Sequence, residues 1–196
     1  MRKALQHLKQ SDPVMAAIIE RVGRYRIAHT EPVFGSLVRS IVYQQLSGKA
    51  ASTIFGRLLV ETGTPLRPEA LLKLSPERLR ALGLSGQKAA YVRDLAEKTA
   101  SGIVRFEQLP KLTNEKIIEE LTQVKGIGVW TVQMFLMFSL KRPNVLPTAD
   151  LGIRNAIRKA YGLPDPPSPK EIEEIGARWH PYCTTASWYL WRSLED

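Results

Sequence analysis

The sequence predicts an all-α protein, and three observations carry the prediction. Glycine and proline punctuate the 196-residue chain at short intervals. Between them, apolar residues recur at three- and four-residue spacing, the period of a helix with one buried face. No segment shows the strict apolar–polar alternation of a half-buried strand. The composition, 44% hydrophobic and 24% charged, is that of a globular chain and excludes disorder. The length suits one compact domain or two small lobes.

Each helix has its own signals. Ser11-Asp12-Pro13 reads as a cap with proline in the first turn, opening Val14 to Val22. Pro32 opens Val33 to Leu46, where Phe34, Leu37, Val38, Ile41 and Val42 form an apolar stripe. Gly48 starts Lys49 to Glu61, Pro68 starts a short segment to Leu74, and Ser75-Pro76-Glu77 starts another that stops at Gly83. Gln87 to Ala100 is longer and offers Ala90, Val92, Leu95 and Ala96 to a core. Thr113 caps Asn114 to Gln123. Gly128 to Leu140 is apolar nearly all round, which predicts a buried helix. Thr148 begins a helix ending near Tyr161-Gly162. Ser168-Pro169-Lys170-Glu171 has capping-box spacing ahead of Glu171 to Arg178, and Tyr182 to Leu194 closes the series.

Charge narrows the partners. Lys and Arg number 28 against 19 Asp and Glu, a net +9. Residues 1–50, 51–100, 101–150 and the remainder carry +5, +3, +1 and zero, with no basic tail. Such an excess favours a polyanion, nucleic acid first, bound on a folded surface, although a basic surface also serves solubility alone. The only cysteine, Cys183, excludes an intrachain disulfide framework, a cysteine-rich zinc site and a four-cysteine iron–sulfur cluster. It suits a reducing compartment and is expected in the core. The longest strongly apolar run, Met134 to Leu140, is too short to span a bilayer, and the basic N-terminus has no signal-peptide apolar region. The expected location is intracellular: cytoplasm and nucleoid, or the nucleus in a eukaryote.

Two segments carry chemistry. In Leu121-Thr-Gln-Val-Lys-Gly-Ile-Gly-Val-Trp-Thr-Val-Gln133 a helix ends just before Lys125, Gly126 and Gly128 bracket Ile127 in a tight hairpin, and a second helix begins. Free N–H groups and the positive end of that helix suit a phosphate, while Ile127 would anchor the hairpin in the core. A Gly-x-Gly also serves as a plain connector between helices. In Pro143-Asn-Val-Leu-Pro-Thr-Ala-Asp150-Leu-Gly-Ile-Arg-Asn155 a proline-bearing loop delivers Asp150 to the first turn of a helix. An aspartate there is stabilised by the dipole whether or not it is catalytic.

Together, a hairpin of this kind, a Gly/Pro loop and an aspartate in this order resemble the helix-hairpin-helix DNA glycosylase superfamily. The resemblance runs through the Pro32 helix and Val42-Tyr-Gln-Gln-Leu-Ser47, similar to the alkylation-repair branch of 3-methyladenine DNA glycosylase II type. It continues through Trp179-His-Pro-Tyr182 and Ala186-Ser-Trp-Tyr-Leu-Trp191, so it covers the chain from about residue 30 onward. Some bacterial members carry an N-terminal β domain; a compact form without it is expected here. The resemblance implies two helical lobes with a cleft between them, residues 32–141 carrying the hairpin and residues 1–31 with 142–196 forming the second lobe.

The resemblance also assigns roles. Asp150 is the expected catalytic carboxylate. Members with lyase activity place a lysine two residues after the second hairpin glycine; here Trp130 stands there, which implies a monofunctional enzyme with water as nucleophile. The base pocket is assigned to Trp130, Trp191 and Tyr43, whose ring faces would attract a cationic alkylated purine. Met134 stands where a pocket tyrosine is usual. Trp179 and Trp188 are expected in the core. Gln45, with Leu46 beside it, is assigned to fill the gap left by a flipped nucleotide, against the plainer reading that Gln44 and Gln45 make local hydrogen bonds at a helix end. Lys125, Gly126, Ile127, Gly128 and Lys49 would meet the DNA backbone. The carbonyls of Thr122, Val124 and Ile127 would hold a monovalent, non-catalytic cation at the hairpin. No cofactor is expected for catalysis, and no iron–sulfur cluster. His7, His29 and His180 show no metal-ligand spacing, and Arg154, Arg158 and Lys159 form a basic helix face that is either solvated or DNA-facing.

The implied activity is hydrolysis of the N-glycosidic bond of alkylated purines, of the 3-methyladenine and 7-methylguanine type, in double-stranded DNA with damaged bases, by a monomer. This is the opening step of base excision repair. Two other readings cover part of the pattern: a glycosylase for deaminated or mismatched bases, and a non-catalytic helix-hairpin-helix DNA-binding module.

Overall fold

The computed structural model describes residues 1–195, which are helical throughout with no β-strand among them. In chain order the helices are α1 (Arg2–Ser11), α2 (Pro13–Val22), α3 (Phe34–Tyr43), α4 (Gly48–Thr62), α5 (Pro68–Leu72) and α6 (Pro76–Ala81). They continue as α7 (Gly86–Ala100), α8 (Asn114–Leu121), α9 (Val129–Phe138), α10 (Leu151–Tyr161), α11 (Pro169–Gly176) and α12 (Cys183–Arg192). Two 3-10 turns lie at Leu109–Lys111 and Ala177–Trp179. No helix among the described residues is long and apolar enough to cross a membrane.

Serine or threonine starts five of the helices by the expected chemistry. Ser47, Ser75, Ser85 and Thr113 accept hydrogen bonds from the amides of Ala50, Arg78, Lys88 and Lys116. Ser168 and Glu171 complete a capping box at α11. Several boundaries differ from the sequence expectation, three of them with consequences for packing or the site. The N-terminal residues form α1, which buries Ala4 and Leu8 at helical spacing; the reading began only at Val14. α3 stops at Tyr43 rather than running to Leu46. α9 begins at Val129, and its first two residues are exposed, Val129 at 50% and Trp130 at 47%, while Thr131 and Val132 behind them are buried.

The described chain forms two compact units. One is continuous, Thr30–Phe135. The other joins Met1–His29 to the chain from Leu136 onward, so α9 crosses the division near its C-terminal end.

The unit built from both ends packs α1 and α2 against α10, α11 and α12. Leu8, Met15, Ile157, Trp179, Cys183 and Tyr189 are fully buried or nearly so there, with Trp188 at 8% exposure. Asp12 is its polar centre. Its Oδ1 caps α2 through the amides of Val14 at 3.0 Å and Met15 at 3.2 Å. Its Oδ2 accepts from the indole N–H of Trp179 at 2.8 Å and from the Tyr161 hydroxyl. A buried carboxylate needs such donors to offset the loss of water. The Tyr189 hydroxyl donates to the Gly23 carbonyl at 2.8 Å, closing the end of α2.

In the continuous unit, α7 is the central strut, packed against α3, α5 and α6. Its buried face is Ala89, Val92, Leu95 and Ala96, three of which the apolar spacing had assigned to the core. Ala90, the fourth, is exposed, and Ala89 takes its place.

Candidate active site

Asp150 sits at the N-cap of α10, one residue ahead of the first turn where the sequence put it. Its Oδ1 accepts the Ile153 amide at 2.8 Å. The same oxygen accepts the indole N–H of Trp191, also at 2.8 Å. Trp191 comes from the last turn of α12, and its ring stacks on Phe138 with centroids 6.1 Å apart and planes 26° from parallel. Gly152 makes room for this arrangement. A Cβ there would lie 2.9 Å from Trp191 Cδ1 and 3.0 Å from Asp150 Oδ1.

The loop that delivers Asp150 is pinned from α12. Thr184 donates its hydroxyl to the Arg142 carbonyl at 2.6 Å and accepts the Val145 amide at 3.1 Å, while its own amide reaches the Pro143 carbonyl at 3.0 Å. The Asn144 amide pairs with His180 Nδ1 at 2.8 Å. The carboxylate is therefore held by a rigid frame with two N–H donors on one oxygen, beside the positive end of a helix. The sequence had assigned Trp191 to the base pocket; its hydrogen bond to Asp150 was not foreseen.

The hairpin lies in the continuous unit. α8 ends at Leu121, the Val124 amide bonds to the Leu121 carbonyl, and the Ile127 amide bonds to the Val124 carbonyl, each at 3.1 Å. Val124 and Ile127 are buried and anchor it. The two glycines that bracket Ile127 are not equivalent. Gly126 has φ +78°, and a Cβ there would collide with the Tyr91 ring. Gly128 has an ordinary backbone angle and nothing within 4 Å of a Cβ. Gly126 serves the turn; Gly128 leaves the surface bare.

Lys125 is exposed at the hairpin, and its backbone N–H donates to Asp94 Oδ2 at 2.9 Å. Asp94 also receives Lys98 Nζ at 2.6 and 2.7 Å. Burial pushes its carboxyl upward, but the Lys98 ammonium and the Lys125 amide outweigh that and hold it below the usual carboxylate range. The sequence reading missed Asp94. Its i,i+4 pairing with Lys98 was visible, but not its reach to the hairpin.

A third feature lies beside the hairpin in the same unit. α3 ends at Tyr43, Gln44 is its C-cap, and Gln45 takes φ 55°, in the left-handed region. Gln45 and Leu46 are exposed. Gln44 Nε2 donates to the Gly126 carbonyl at 2.9 Å, so this side chain binds the hairpin rather than its own helix end. Lys88 Nζ donates to the carbonyls of Val42 at 2.8 Å and Gln44 at 2.6 Å. Burial lowers the pKa of this lysine.

Beside the turn is a cavity of about 440 Å³, between Arg39, Ser40 and Tyr43 of α3, Gln44 and Gln45, and Trp130, Thr131 and Met134 of α9. That is ample for a small ligand. Trp130, Tyr43 and Gln45 thus share one cavity, while Asp150 and Trp191 share one hydrogen bond in the other unit. The Tyr43 face has a tenant: the Arg39 guanidinium sits 4.0 Å from its centroid. Lys49 is exposed in the first turn of α4. Arg154 is engaged by its own loop, donating to the Pro167 carbonyl at 2.9 Å. No cluster of three or more His, Cys, Asp or Glu suited to a metal occurs among the described residues. His7 and His29 lie against the carbonyls of Arg178 and Phe138.

An all-helical chain with a buried-anchored hairpin and a helix-capping aspartate defines a class of DNA repair protein. Residues 38–181 match the HhH-GPD superfamily base excision DNA repair proteins, and the chain belongs to that superfamily. It is 38% identical over 202 aligned residues to DNA-3-methyladenine glycosylase 1 of Schizosaccharomyces pombe, covering 100% of this chain and 88% of the relative. Among solved structures, an S. pombe 3-methyladenine DNA glycosylase in complex with abasic DNA matches with TM-score 0.86 at 37% identity, over 99% of this chain and 97% of that one. A DNA-3-methyladenine glycosidase from Bacillus halodurans matches with TM-score 0.88 at 39% identity, over 97% of this chain and 88% of that one.

Proposed function

We propose that the protein is a monofunctional DNA glycosylase that releases alkylated purines, of the 3-methyladenine and 7-methylguanine type, from double-stranded DNA. The observation that carries the reading is Asp150, fixed at a helix N-cap and gripped by the Trp191 indole. A relative named DNA-3-methyladenine glycosylase 1, aligned over the whole of this chain, supports the 3-methyladenine part of it.

The chemistry follows from the residues. The damaged nucleotide leaves the stack, and its base is held in a pocket. In this reading the half-exposed ring of Trp130 offers its face to a cationic purine. The bond between C1′ and the base nitrogen breaks, and its electron pair neutralises the base. Positive charge develops on the sugar and is stabilised by the Asp150 carboxylate. A water oxygen then bonds to C1′ and gives up its proton, for which Asp150 is the acceptor. Because a cationic base is a good leaving group, no general acid is required. Trp130, where lyase-active members carry lysine, supplies no amine, so no Schiff base forms.

Gln45, presented on its left-handed turn with Leu46, is the side chain assigned to the vacated stack. Lys125, Lys49 and the amides from Gly126 to Gly128 are assigned to phosphates. The carbonyls of Thr122, Val124 and Ile127 are a neutral oxygen set, which suits a weakly held monovalent cation with no part in bond cleavage. The protein is proposed to act as a monomer, in the compartment that holds the cell's DNA.

The test is Asp150→Asn on duplexes carrying 7-methylguanine, 3-methyladenine, hypoxanthine or 1,N6-ethenoadenine. Asparagine still caps a helix, so folding and DNA binding persist while base release falls about 10²- to 10³-fold. Wild-type-like release by the variant sinks the assignment of Asp150. Release of hypoxanthine in preference to both alkylated purines shifts the substrate class.

A further inference from the structure

Besides its own backbone hydrogen bonds, the turn that presents Gln45 is gripped by one ammonium group. The end of a helix leaves its last carbonyls without intrahelical partners, and a left-handed residue other than glycine persists only where its surroundings enforce it. Here the enforcement is visible. Lys88 spans the end of α3, donating to Val42 O and Gln44 O, the carbonyls on either side of Tyr43 and immediately before Gln45. From the same turn, the Gln44 side chain reaches the carbonyl of Gly126 in the hairpin. Six residues along α7 from Lys88, Asp94 takes the amide of Lys125, the residue before Gly126. One helix thus grips both the turn and the hairpin, and Gln44 ties the two directly.

We infer that Lys88 is a positioning residue for nucleotide eversion: through its two carbonyl contacts, and with Gln44 as the tie, it locks the Gln45 turn to the phosphate-binding hairpin. Seating a phosphate on the hairpin and driving Gln45 into the stack then become one event. A lysine suits the task because its three donors spread over several carbonyls, and its charge complements the negative end of α3. The inference rests on the glycosylase reading and adds to it how base eversion is coupled to backbone binding.

The experiment uses the full chain and a duplex with 7-methylguanine next to 2-aminopurine, whose fluorescence rises when its neighbour unstacks. Lys88→Met, Lys88→Arg, Gln44→Leu, Gln45→Ala and Lys88→Met/Gln45→Ala are compared with wild type. For Lys88→Met the expected result is unchanged affinity for undamaged duplex with about a tenfold or greater loss in both the fluorescence rise and single-turnover release. Lys88→Arg recovers much of the loss, and Gln44→Leu reproduces it without touching Lys88. The double variant is no slower than Gln45→Ala alone, because Lys88 acts through Gln45. Additive losses in the double variant, or a fluorescence rise in Lys88→Met equal to wild type, overturn the inference. Should Lys88→Met fail to fold, Gln44→Leu decides in its place: a wild-type rise there overturns it. If wild type frees no base from any lesion, the glycosylase reading fails, while the fluorescence comparison still decides the role of Lys88.

Discussion

At the scale of single residues, Asp150 and Gly152 show how little space separates folding from chemistry. Glycine at the second position of a helix is a poor choice for stability; alanine there gains up to about 1 kcal/mol. Gly152 is nevertheless required by the 2.9 Å and 3.0 Å approaches that a Cβ would make to Trp191 and Asp150. Gly152→Ala should therefore keep or raise helicity while separating indole from carboxylate, with about a tenfold or greater loss of base release. Equal release with a higher melting temperature would show that the indole contact is dispensable. Asp150 could be singled out in the sequence because a proline-bearing loop before a helical pattern marks a helix start. Its partner could not, since Trp191 lies 41 residues away and only folding brings the two together. Tyr43 gives the opposite lesson. An aromatic side chain in a cavity looks available, yet Arg39 already covers its face, a local i,i+4 contact that spacing permits but does not announce.

At the scale of elements, the two hairpin glycines differ in what surrounds them, and the proposed phosphate contact gives that difference a test. Gly126→Ala adds a left-handed penalty of about 1–2 kcal/mol to a collision with Tyr91, so it should lower the melting temperature and the DNA affinity together. Gly128→Ala meets neither obstacle and should melt like wild type, while its added methyl group keeps a phosphate from close approach and weakens binding. Thermal melts paired with titration of a fluorescent duplex check both. Loss of stability in Gly128→Ala would overturn the distinction. Most helices were readable because serine, threonine and proline begin them and buried stripes run along them. The misreadings have physical causes. α1 lacks a side-chain cap at its start and carries many charges, so only tertiary packing of Ala4 and Leu8 makes it a helix. α3 ends early because Lys88 and the hairpin capture its final carbonyls and Gln44, and neither lies near it in sequence.

For the molecule as a whole, net +9 is spread over folded surface, and the more telling asymmetry is one of titration. Burial pushes the Cys183 thiol up to about 12 and raises the phenols of Tyr25, Tyr161 and Tyr189, all in the unit made from both chain ends. Their neutral forms are the ones folding favours. In the unfolded chain the thiol ionises near 9.0 and the phenols near 10.0, so their contribution is complete below those values and is lost as pH climbs toward the folded ones. The melting temperature should hold steady from neutrality to about pH 8.5 and then fall by several degrees toward pH 11. Cys183 should resist thiol reagents until the protein unfolds. Rapid reaction of Cys183 in the folded state at about pH 8 would contradict this. The same unit has a consequence for synthesis. Thr30–Phe135 is contiguous, so all of its internal partners are present once residue 135 has left the ribosome. α1 and α2 emerge before that unit but must wait for Trp179 and Tyr189, which complete Asp12 and Gly23. Helices made earlier than the continuous unit thus find their core after it, and an interrupted message would leave their apolar faces bare, a natural signal for chaperone or protease.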